Sequence, residues 1–223
     1  MNEKVLVCIP AYNEEECVAD AVMGLKRLYP ELRVLVIDDG STDRTSHVAS
    51  EAGAEVVKHP ANLGQSGAIR TGFKYAMLDG YDIVVTFDAD LQHNPEDLPA
   101  IVKPLIEDTA DITLGSRFIG QCEGIPEHRL MGIRFLSKLI SWIVRLKITD
   151  CTNGFRAYRM ETVEKMLPYL RENQYGGLEL LTEAHRQGAR IVEVPVVVSA
   201  RAGGKTKKGV LKYIFNLLRS ILR

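Results

Sequence analysis

The 223 residues are 46% hydrophobic and 26% charged, a composition that excludes a disordered chain and suits a single globular domain with an ample core. Four cysteines without a C-x-x-C pair argue against a structural zinc site and a disulfide framework, and so favour a reducing compartment. The formal net charge is only −1, but seven cations and no acid follow Glu193, which gives the chain a basic tail suited to phosphates or anionic lipid.

Short apolar runs alternate with amphipathic stretches along the chain, a pattern that predicts an α/β fold. The predicted strands are Val5–Pro10, Arg33–Asp38, Glu55–Lys58, Ile83–Phe87, Ile112–Gly115 and Ile191–Val198. We expect helices between them, the first beginning after Asn13 as its N-cap and a later one over Ala68–Leu78. The first strand follows Met1 so closely that no secretory signal is expected, and we predict a cytoplasmic protein.

Two polar loops follow the first two predicted strands, at the edge where α/β sheets bind ligands. The first, Pro10-Ala11-Tyr12-Asn13-Glu14, offers an aromatic ring that could stack on a base and side chains that could hydrogen-bond to it. The second, residues 36–43, contains Asp38 and Asp39, whose carboxylates suit hydrogen bonds from a ribose or a base N–H. Each loop taken alone could equally be a capped turn.

A third loop, Asn62-Leu63-Gly64-Gln65-Ser66-Gly67, leads into the helix predicted over Ala68–Leu78. It lacks the G-x-G-x-x-G spacing, and the first strand is followed by P-A-Y-N-E in place of that fingerprint. The sequence therefore disfavours an oxidoreductase with a Rossmann dinucleotide site.

A fourth loop, Asp88-Ala89-Asp90, ends the β-branched run Ile83–Phe87. Because side chains alternate along a strand, Asp88, Asp90 and Gln92 leave it on the same side. Oxygen ligands suit Mg2+ or Mn2+, which complete their coordination with water or substrate phosphate. D-x-D is short, and for this loop alone a solvated turn is an equal alternative. The co-occurrence of the four loops favours a metal-assisted nucleotide site.

The ordered motifs of the chain resemble those of the family 2 glycosyltransferases, and within them the dolichol-phosphate mannose synthases and related polyprenyl-phosphate glycosyltransferases. They are P-A-Y-N-E, D-D-G-S-T-D, N-L-G-x-x-G, D-A-D-L-Q-H, G-S-R-F, N-G-F-R-A-Y and a late R-x-x-G-x-T-K. The resemblance spans nearly the whole chain. It implies a GT-A fold (the nucleotide-diphospho-sugar transferase fold) with a mixed, mostly parallel sheet flanked by helices. It also implies a nucleotide-sugar donor, Mg2+ or Mn2+, and inverting transfer to a lipid phosphate.

The resemblance further implies roles for individual residues. Nucleotide-sugar contacts are implied for Pro10, Tyr12, Glu14, Ile37, Asp38, Asp39, Asp88, Ala89, Asp90, Arg117, Arg201 and Lys207. Metal ligation is implied for Asp88, Asp90 and Gln92. Catalytic roles are implied for Asp88, Asp90, Arg117, Arg201 and Lys207. The three cations would offset the repulsion between the donor diphosphate and an anionic acceptor, which is already ionised and so needs no strong general base.

Two basic amphipathic stretches, Leu130–Ile148 and the segment from Val210 to Arg223, indicate where such an acceptor would come from. In the first, an apolar face that includes Leu136 and Ile140 opposes a polar stripe that includes Lys138. Neither stretch is an uninterrupted apolar span of about 20 residues, so neither is predicted to cross a membrane. Burial of both apolar faces in the protein or in an oligomer is the alternative.

These features predict a peripheral protein on the cytoplasmic face of the membrane. Its expected small-molecule partners are a nucleotide sugar (GDP-mannose or UDP-glucose) and a polyprenyl or dolichyl phosphate. It is also expected to bind the membrane surface, and a membrane protein is a further candidate partner. The basic tail lacks interleaved aromatics other than Tyr213 and Phe215, so nucleic acid is not an expected partner.

Residues 1–200 are predicted to form the catalytic domain, and residues 201–223 a basic loop and C-terminal amphipathic helix of the same domain. Three other functions stay open at this point. Transfer to a glycan or polysaccharide hydroxyl would need a general base, for which Asp150 and Glu179 are the best candidates. A sugar-phosphate nucleotidyltransferase would share the fold, but its glycine-rich, basic N-terminal loop is absent. A non-catalytic, membrane-associated nucleotide-binding scaffold is disfavoured by the intact acidic and basic motif residues.

Overall fold

The computed structural model describes residues 3–170 and 176–200, and its centre is a seven-stranded sheet. The strands are β1 (Val5–Ala11), β2 (Arg33–Asp38), β3 (Glu55–Lys58), β4 (Ile83–Thr86), β5 (Ile112–Glu123), β6 (Arg156–Arg159) and β7 (Ile191–Ser199). Their order is β3-β2-β1-β4-β6-β5-β7, and β6 is the one described strand that runs antiparallel to its neighbours. The sheet is mixed and mostly parallel, which confirms the predicted class.

Helices cover both faces of the sheet. They are α1 (Val18–Leu28), α2 (Thr45–Glu51), α3 (Gln65–Leu78), α4 (Leu98–Ile106), α5 (Glu127–Val144), α6 (Met160–Met166) and α7 (Gly176–Arg186). The core between the sheet and α1, α2 and α4 contains Val7 and Ile9 of β1, whereas Leu6 and Cys8 face the core formed with α3, α5, α6 and α7. Because the central strands are buried on both faces, they are continuous apolar runs rather than alternating ones.

Two strands differ from the prediction by more than one residue. The sequence predicted an end to β5 at Gly115, but the strand continues to Glu123, since residues 121–123 pair with β7 after an irregular segment. It did not predict β6, a four-residue strand with arginine at both ends. Arg156 is buried there because its guanidinium donates to the carbonyls of Asn153 and Cys151, at 2.7 and 3.0 Å.

The predicted N-cap of the first helix is wrong, because α1 begins at Val18 rather than after Asn13. Asn13 adopts a left-handed conformation with φ of 53°, which asparagine tolerates better than most residues. Its N–H donates to Ser41 Oγ at 2.9 Å, and its Oδ1 accepts from the N–H of Thr42 at 3.0 Å. Asn13 therefore joins the loop after β1 to the loop after β2.

Helix α5 begins and ends a few residues earlier than the predicted Leu130–Ile148. Pro126 precedes its first residue, and Arg145 ends it in the left-handed conformation, with φ of 55°. Within residues 3–170 and 176–200, no helix combines the length and apolar character needed to cross a bilayer.

Candidate active site

The carboxyl ends of the parallel strands meet at one edge of the sheet, where hydrogen bonds join their loops. The N–H of Asp39 donates to the Ala11 carbonyl at 2.8 Å, which connects the loops after β2 and β1. Thr86 Oγ1 at the end of β4 donates to the Gly154 carbonyl at 2.7 Å, just before β6. In the parallel register, Ala11 of β1 lies beside Asp38 of β2, and Thr86 of β4 lies beside Cys8 of β1. The loops that follow β1, β2 and β4 therefore leave the sheet at one edge, as the sequence predicted from their place after parallel strands.

Asp88 follows β4 and is held on two sides. His93 Nε2 donates to Asp88 Oδ2 at 3.0 Å, and the imidazole is itself buried against the rings of Phe87 and Phe155. On the other side, a Cβ at Gly154 would lie 2.8 Å from Asp88 Oδ1 and closer still to Oδ2, so only glycine leaves room for the carboxylate. Sequence reasoning missed His93 and Gly154, although each lies in a motif, D-A-D-L-Q-H or N-G-F-R-A-Y, that it used.

Asp90 and Gln92 continue from Asp88 in a strained turn. Leu91 has φ of 62°, a conformation that a non-glycine residue keeps only where its surroundings enforce it. The turn directs the N–H of Gln92 towards Asp90 Oδ1 at 3.3 Å, and the Gln92 side-chain amide donates to the Ser199 carbonyl at 3.0 Å. Both residues are half-buried.

The donor set at this turn suits a divalent cation. In the part of the chain that the structure describes, no three His, Cys, Asp or Glu side chains form a ready-made metal cluster. Two carboxylates and an amide oxygen are hard ligands, and Mg2+ and Mn2+ commonly take their remaining ligands from substrate phosphates and water. Asp88 and Asp90 therefore fit a cation that binds together with a diphosphate.

Asp39, one of the two acids predicted to bind the nucleotide, is buried and organises the third loop. Its Oδ1 accepts from the N–H of Leu63 at 2.9 Å, and its Oδ2 accepts from the N–H of Gly64 at 2.8 Å. His59 Nδ1 lies 2.8 Å from Oδ1, and His59 Nε2 lies 2.8 Å from Thr71 Oγ1 on α3. Asp39 thus fixes the loop that begins α3 at the same edge as Asp88.

Asp38, the other predicted acid, is fully buried and holds its own turn. Its Oδ1 accepts from the N–H of Ser41 at 2.7 Å, and its Oδ2 contacts Ser46 Oγ and lies 3.4 Å from Lys58 Nζ. Burial alone would raise the pKa of Asp38, but the hydrogen bonds from Ser41 and Ser46 and the Lys58 charge outweigh it and hold that pKa below its ordinary value. The carboxylate form is therefore the one that the fold stabilises.

We expect Asp38→Asn to lower the free energy of unfolding by about 2 kcal/mol near neutral pH, because the bonds to an ionised acceptor are lost. Since the folded pKa of Asp38 is depressed, this contribution is fully present above the unfolded value of about 3.9 and is lost as the pH falls through the folded value. Urea titrations of the protein and the variant should therefore begin to converge below pH ~4 and should meet only once the pH has fallen through the lower folded pKa of Asp38. Asp20→Asn, at an exposed carboxylate on α1, should show no such convergence because it should differ little at any pH.

The remaining predicted nucleotide contacts divide into accessible and buried residues. Pro10, Tyr12 and Glu14 are half-buried along the loop after β1, and Pro10 lies beside Ile37 of β2 in the sheet register. The side chains of Ile37 and Ala89 belong to the cores beneath this edge. Only the backbone of these two residues is therefore placed to face a ligand.

Arg117 on β5 is a buried cation paired with Asp150. Its Nε donates to Asp150 Oδ2 at 2.6 Å and its Nη2 to Thr152 Oγ1 at 3.3 Å, and the two charged side chains are 7% and 0% exposed. Glu193 of β7 fixes the same loop, because it accepts from the N–H groups of Thr149 and Asp150 at 2.7 and 2.9 Å. The position of Arg117 is thus set by a buried carboxylate whose loop is tied to the sheet.

Two predicted site residues lie outside the described residues. They are Arg201 and Lys207, and the predicted C-terminal helix lies beyond 200 with them. Glu179, the weaker candidate for a general base, is in the first turn of α7, which packs against α3 and α6.

Comparison with known proteins gives consistent matches. The family model described as glycosyl transferase family 2 matches residues 6–167. An undecaprenyl-phosphate mannosyltransferase of Micrococcus luteus is 34% identical over 92% of this chain and 87% of its own. A dolichol-phosphate mannosyltransferase of Pyrococcus furiosus is 35% identical over 99% of this chain and 63% of its own.

A crystal structure of glucosyl-3-phosphoglycerate synthase from Mycobacterium tuberculosis, solved with Mn2+, uridine diphosphate and phosphoglyceric acid, has a similar fold. It superposes with a TM-score of 0.73, covers 99% of this chain and 76% of the synthase, and is 21% identical in sequence. At that identity the likeness supports the fold, and it confirms the expected GT-A architecture.

Proposed function

This chain belongs to glycosyl transferase family 2 and is a glycosyltransferase, and we propose that it moves a hexose, mannose or glucose, from a GDP- or UDP-sugar to a polyprenyl or dolichyl phosphate. The transfer would invert the anomeric carbon and take place at the membrane surface on its cytoplasmic face. The observation that carries the proposal is the carboxylate pair Asp88 and Asp90, which is held at the sheet edge where the nucleotide loops meet. The acceptor class is supported by the names of the relatives.

In this proposal Asp88, Asp90 and Gln92 would hold Mg2+ or Mn2+, which when bound would stabilise negative charge on the leaving diphosphate. Tyr12 and the loop fixed by Asp39 would enclose the nucleotide. His93 and Gly154 would keep Asp88 in one orientation, so that little reorganisation accompanies the reaction.

The bond changes follow from the chemistry of the acceptor. An oxygen of the lipid phosphate would bond to the anomeric carbon as the bond from that carbon to the diphosphate breaks on the opposite face, hence the inversion. Because the attacking oxygen is already ionised, no proton is removed. The repulsion between two unit charges about 4 Å apart is roughly 4 kcal/mol at an effective dielectric near 20. We propose that Arg117, Arg201 and Lys207 lower this barrier.

The geometry gives less support to a hydroxyl acceptor. Asp150, the better of the two candidate bases, is buried, and its oxygens accept from Arg117 and Thr152. A general base must reach the proton that it removes, and this carboxylate is buried and already bonded within the protein. A lipid phosphate needs no such base.

The test is an extraction assay on the purified protein. Incubation with Mn2+ or Mg2+, a polyprenyl phosphate and each of several radiolabelled nucleotide sugars should place label from one donor in the organic phase. That result would identify the sugar and the lipid acceptor together. Nucleotide binding without organic-phase label from any donor would overturn the lipid acceptor.

We expect Gly154→Ala to lower kcat by about 10²-fold, because the new methyl group would displace the Asp88 carboxylate, and misplacement by about 1 Å costs that much in comparable sites. The Asp88 side chain is 29% exposed and can leave its present position towards solvent, so the variant should fold. The check is kcat and KM together with Mn2+ affinity in the presence of the nucleotide diphosphate. Gly132→Ala is the matched control, since a Cβ there meets nothing within 4 Å. An unchanged kcat in Gly154→Ala would refute the role given to this contact.

A further inference from the structure

His59 is a buried histidine with no role in the chemistry proposed above. It follows β3 directly, and its backbone N–H donates to the Asp38 carbonyl at 2.8 Å. Its side chain is 8% exposed, and both ring nitrogens have a partner. Nδ1 lies 2.8 Å from Asp39 Oδ1, and Nε2 lies 2.8 Å from Thr71 Oγ1 on α3. The ring therefore joins the end of β2 to the second turn of α3.

The two partners of the ring determine which nitrogen carries a proton. As a carboxylate, Asp39 can only accept hydrogen bonds, so Nδ1 must donate to it. The Thr71 hydroxyl can donate to Nε2, which leaves the proton on Nδ1. The N–H groups of Leu63 and Gly64 also donate to Asp39, at 2.9 and 2.8 Å. His59 is thus the third donor on a carboxylate whose side chain is only 5% exposed.

The bond from His59 limits how the Asp39 carboxylate can turn. Oδ1 accepts from the imidazole and from the Leu63 N–H, whereas Oδ2 accepts from the Gly64 N–H. Without the imidazole, these bonds would tie the carboxylate to the third loop alone. With it, the carboxylate is also tied to the residue that follows β3 and, through Thr71, to α3. The imidazole therefore fixes the group that holds the loop.

Polar bonds, rather than apolar burial, set the shape of the third loop. Asn62, Leu63 and Gln65 are exposed. Gly64 precedes α3 and has no side chain with which to cap the helix. Segments that bury little apolar surface open easily, so the conformation of this loop depends on the N–H bonds to Asp39.

We propose that His59 is a positioning residue for the nucleotide, because it holds the Asp39 carboxylate and, through it, keeps the third loop in the conformation that binds the donor. The proposal rests on the proposed function, which places the nucleotide beside this loop. A loop that adopts its binding conformation only part of the time weakens the apparent affinity in proportion to the fraction lost. His59 would therefore affect donor binding and leave transfer from the bound donor unchanged.

Two variants of His59 separate its hydrogen bond to Asp39 from its bulk. In His59→Asn the amide nitrogen stands near the position of Nδ1 and can still donate to Asp39. In His59→Gln it stands near the position of Nε2 and is directed towards Thr71. We expect His59→Gln to raise the dissociation constant of GDP or UDP with Mn2+, and the KM for the nucleotide sugar, by about tenfold, because a bond to a charged acceptor is lost.

The comparison of kcat with KM distinguishes positioning from a general loss of structure. In His59→Gln, kcat at saturating donor should stay within about twofold, the pattern of a loss that affects binding alone. His59→Asn should stay within about threefold of the unmodified protein in KM and in the dissociation constant. A purely structural histidine would lower the free energy of unfolding in both variants and leave nucleotide binding unchanged, and that result would overturn the proposal.

Hydrogen exchange tests the same contact without any ligand. The N–H groups of Leu63 and Gly64, which bond to Asp39, should exchange about tenfold faster in His59→Gln than in the unmodified protein or in His59→Asn. Saturating nucleotide diphosphate should restore their protection. Equal exchange of these two amides in all three proteins would contradict the proposal.

His47 provides the matched control, because it is also a histidine beside a carboxylate. Its Nε2 lies 3.5 Å from Glu51 Oε2, but its side chain is 57% exposed. His47→Gln should change neither nucleotide binding nor exchange in the third loop.

The binding measurement needs no acceptor and so separates this proposal from the function on which it rests. If the unmodified protein binds GDP or UDP but transfers sugar to no polyprenyl phosphate, the proposed acceptor fails, and the two His59 variants still decide the role of the histidine. An unmodified protein that binds neither nucleotide would overturn both proposals.

Discussion

Asp90→Asn is expected to lower kcat for sugar transfer by about 10³-fold while leaving the fold intact. Asparagine has the same shape and can still accept the N–H of Gln92, but it removes one of the two charges proposed to hold the cation. Loss of a single charge-stabilising group in comparable sites costs 10² to 10³-fold in kcat. The measurement is the initial rate at saturating donor and metal, together with a urea unfolding curve.

Two comparisons make this result specific. Asp79→Asn changes an exposed aspartate at the end of α3, before β4, and should alter neither rate nor stability appreciably. Titration of Mn2+ into the nucleotide diphosphate complex should show weakened metal binding in Asp90→Asn alone. Transfer within about threefold of the unmodified rate would refute the proposed metal ligation, whatever the stability.

The position of this site was predictable because it depends on local pattern and on one topological rule. Apolar runs such as Ile83–Phe87 mark buried strands, and Asp88 and Asp90 stand where that run stops. Loops at the carboxyl ends of parallel strands share an edge, so the motifs after β1, β2 and β4 had to converge. Neither step requires knowledge of contacts between distant residues.

The contacts within the site depend on such distant pairs and could not be predicted. The sequence gives no spacing rule by which Gly154, from the loop before β6, meets Asp88, and β6 itself is too short and too charged to be recognised. Asn13 is a residue type that commonly caps a helix, but its side chain and its N–H form hydrogen bonds with the loop after β2 and cap no helix. The acid Asp39 was predicted as a ligand contact, and its observed bonds are to the third loop.

The exposure of side chains on helix α5 could not be fully predicted from the sequence either. A period of 3.6 residues identifies an apolar face, and Leu136 and Ile140 are buried as such a pattern requires. It does not reveal which of two apolar faces meets the core. Phe135 and Trp142 lie on the other face of α5 and are 69 and 79% exposed.

Arg117→Met is expected to lower the free energy of unfolding by about 3–5 kcal/mol, because it leaves Asp150 buried without its cation. Adding Asp150→Asn removes the orphaned charge but keeps an oxygen that can accept from Thr152, so the double variant should recover most of that loss. The exposed pair Lys103 and Glu107, 3.7 Å apart, serves as the control. Its double variant, Lys103→Met with Glu107→Gln, should change stability by less than about 1 kcal/mol.

The double variant at Arg117 and Asp150 then separates stability from catalysis. A cation that only neutralises Asp150 becomes dispensable once that charge is gone, so transfer would return together with stability. A cation that also offsets the charge of the phosphates has no substitute in the double variant, which would fold and bind nucleotide but transfer sugar slowly. We expect the second result, since Asp150 and Thr152 account for two of the five N–H donors of the guanidinium. Recovery of both properties would reduce Arg117 to a structural residue and leave the acceptor phosphate to Arg201 and Lys207.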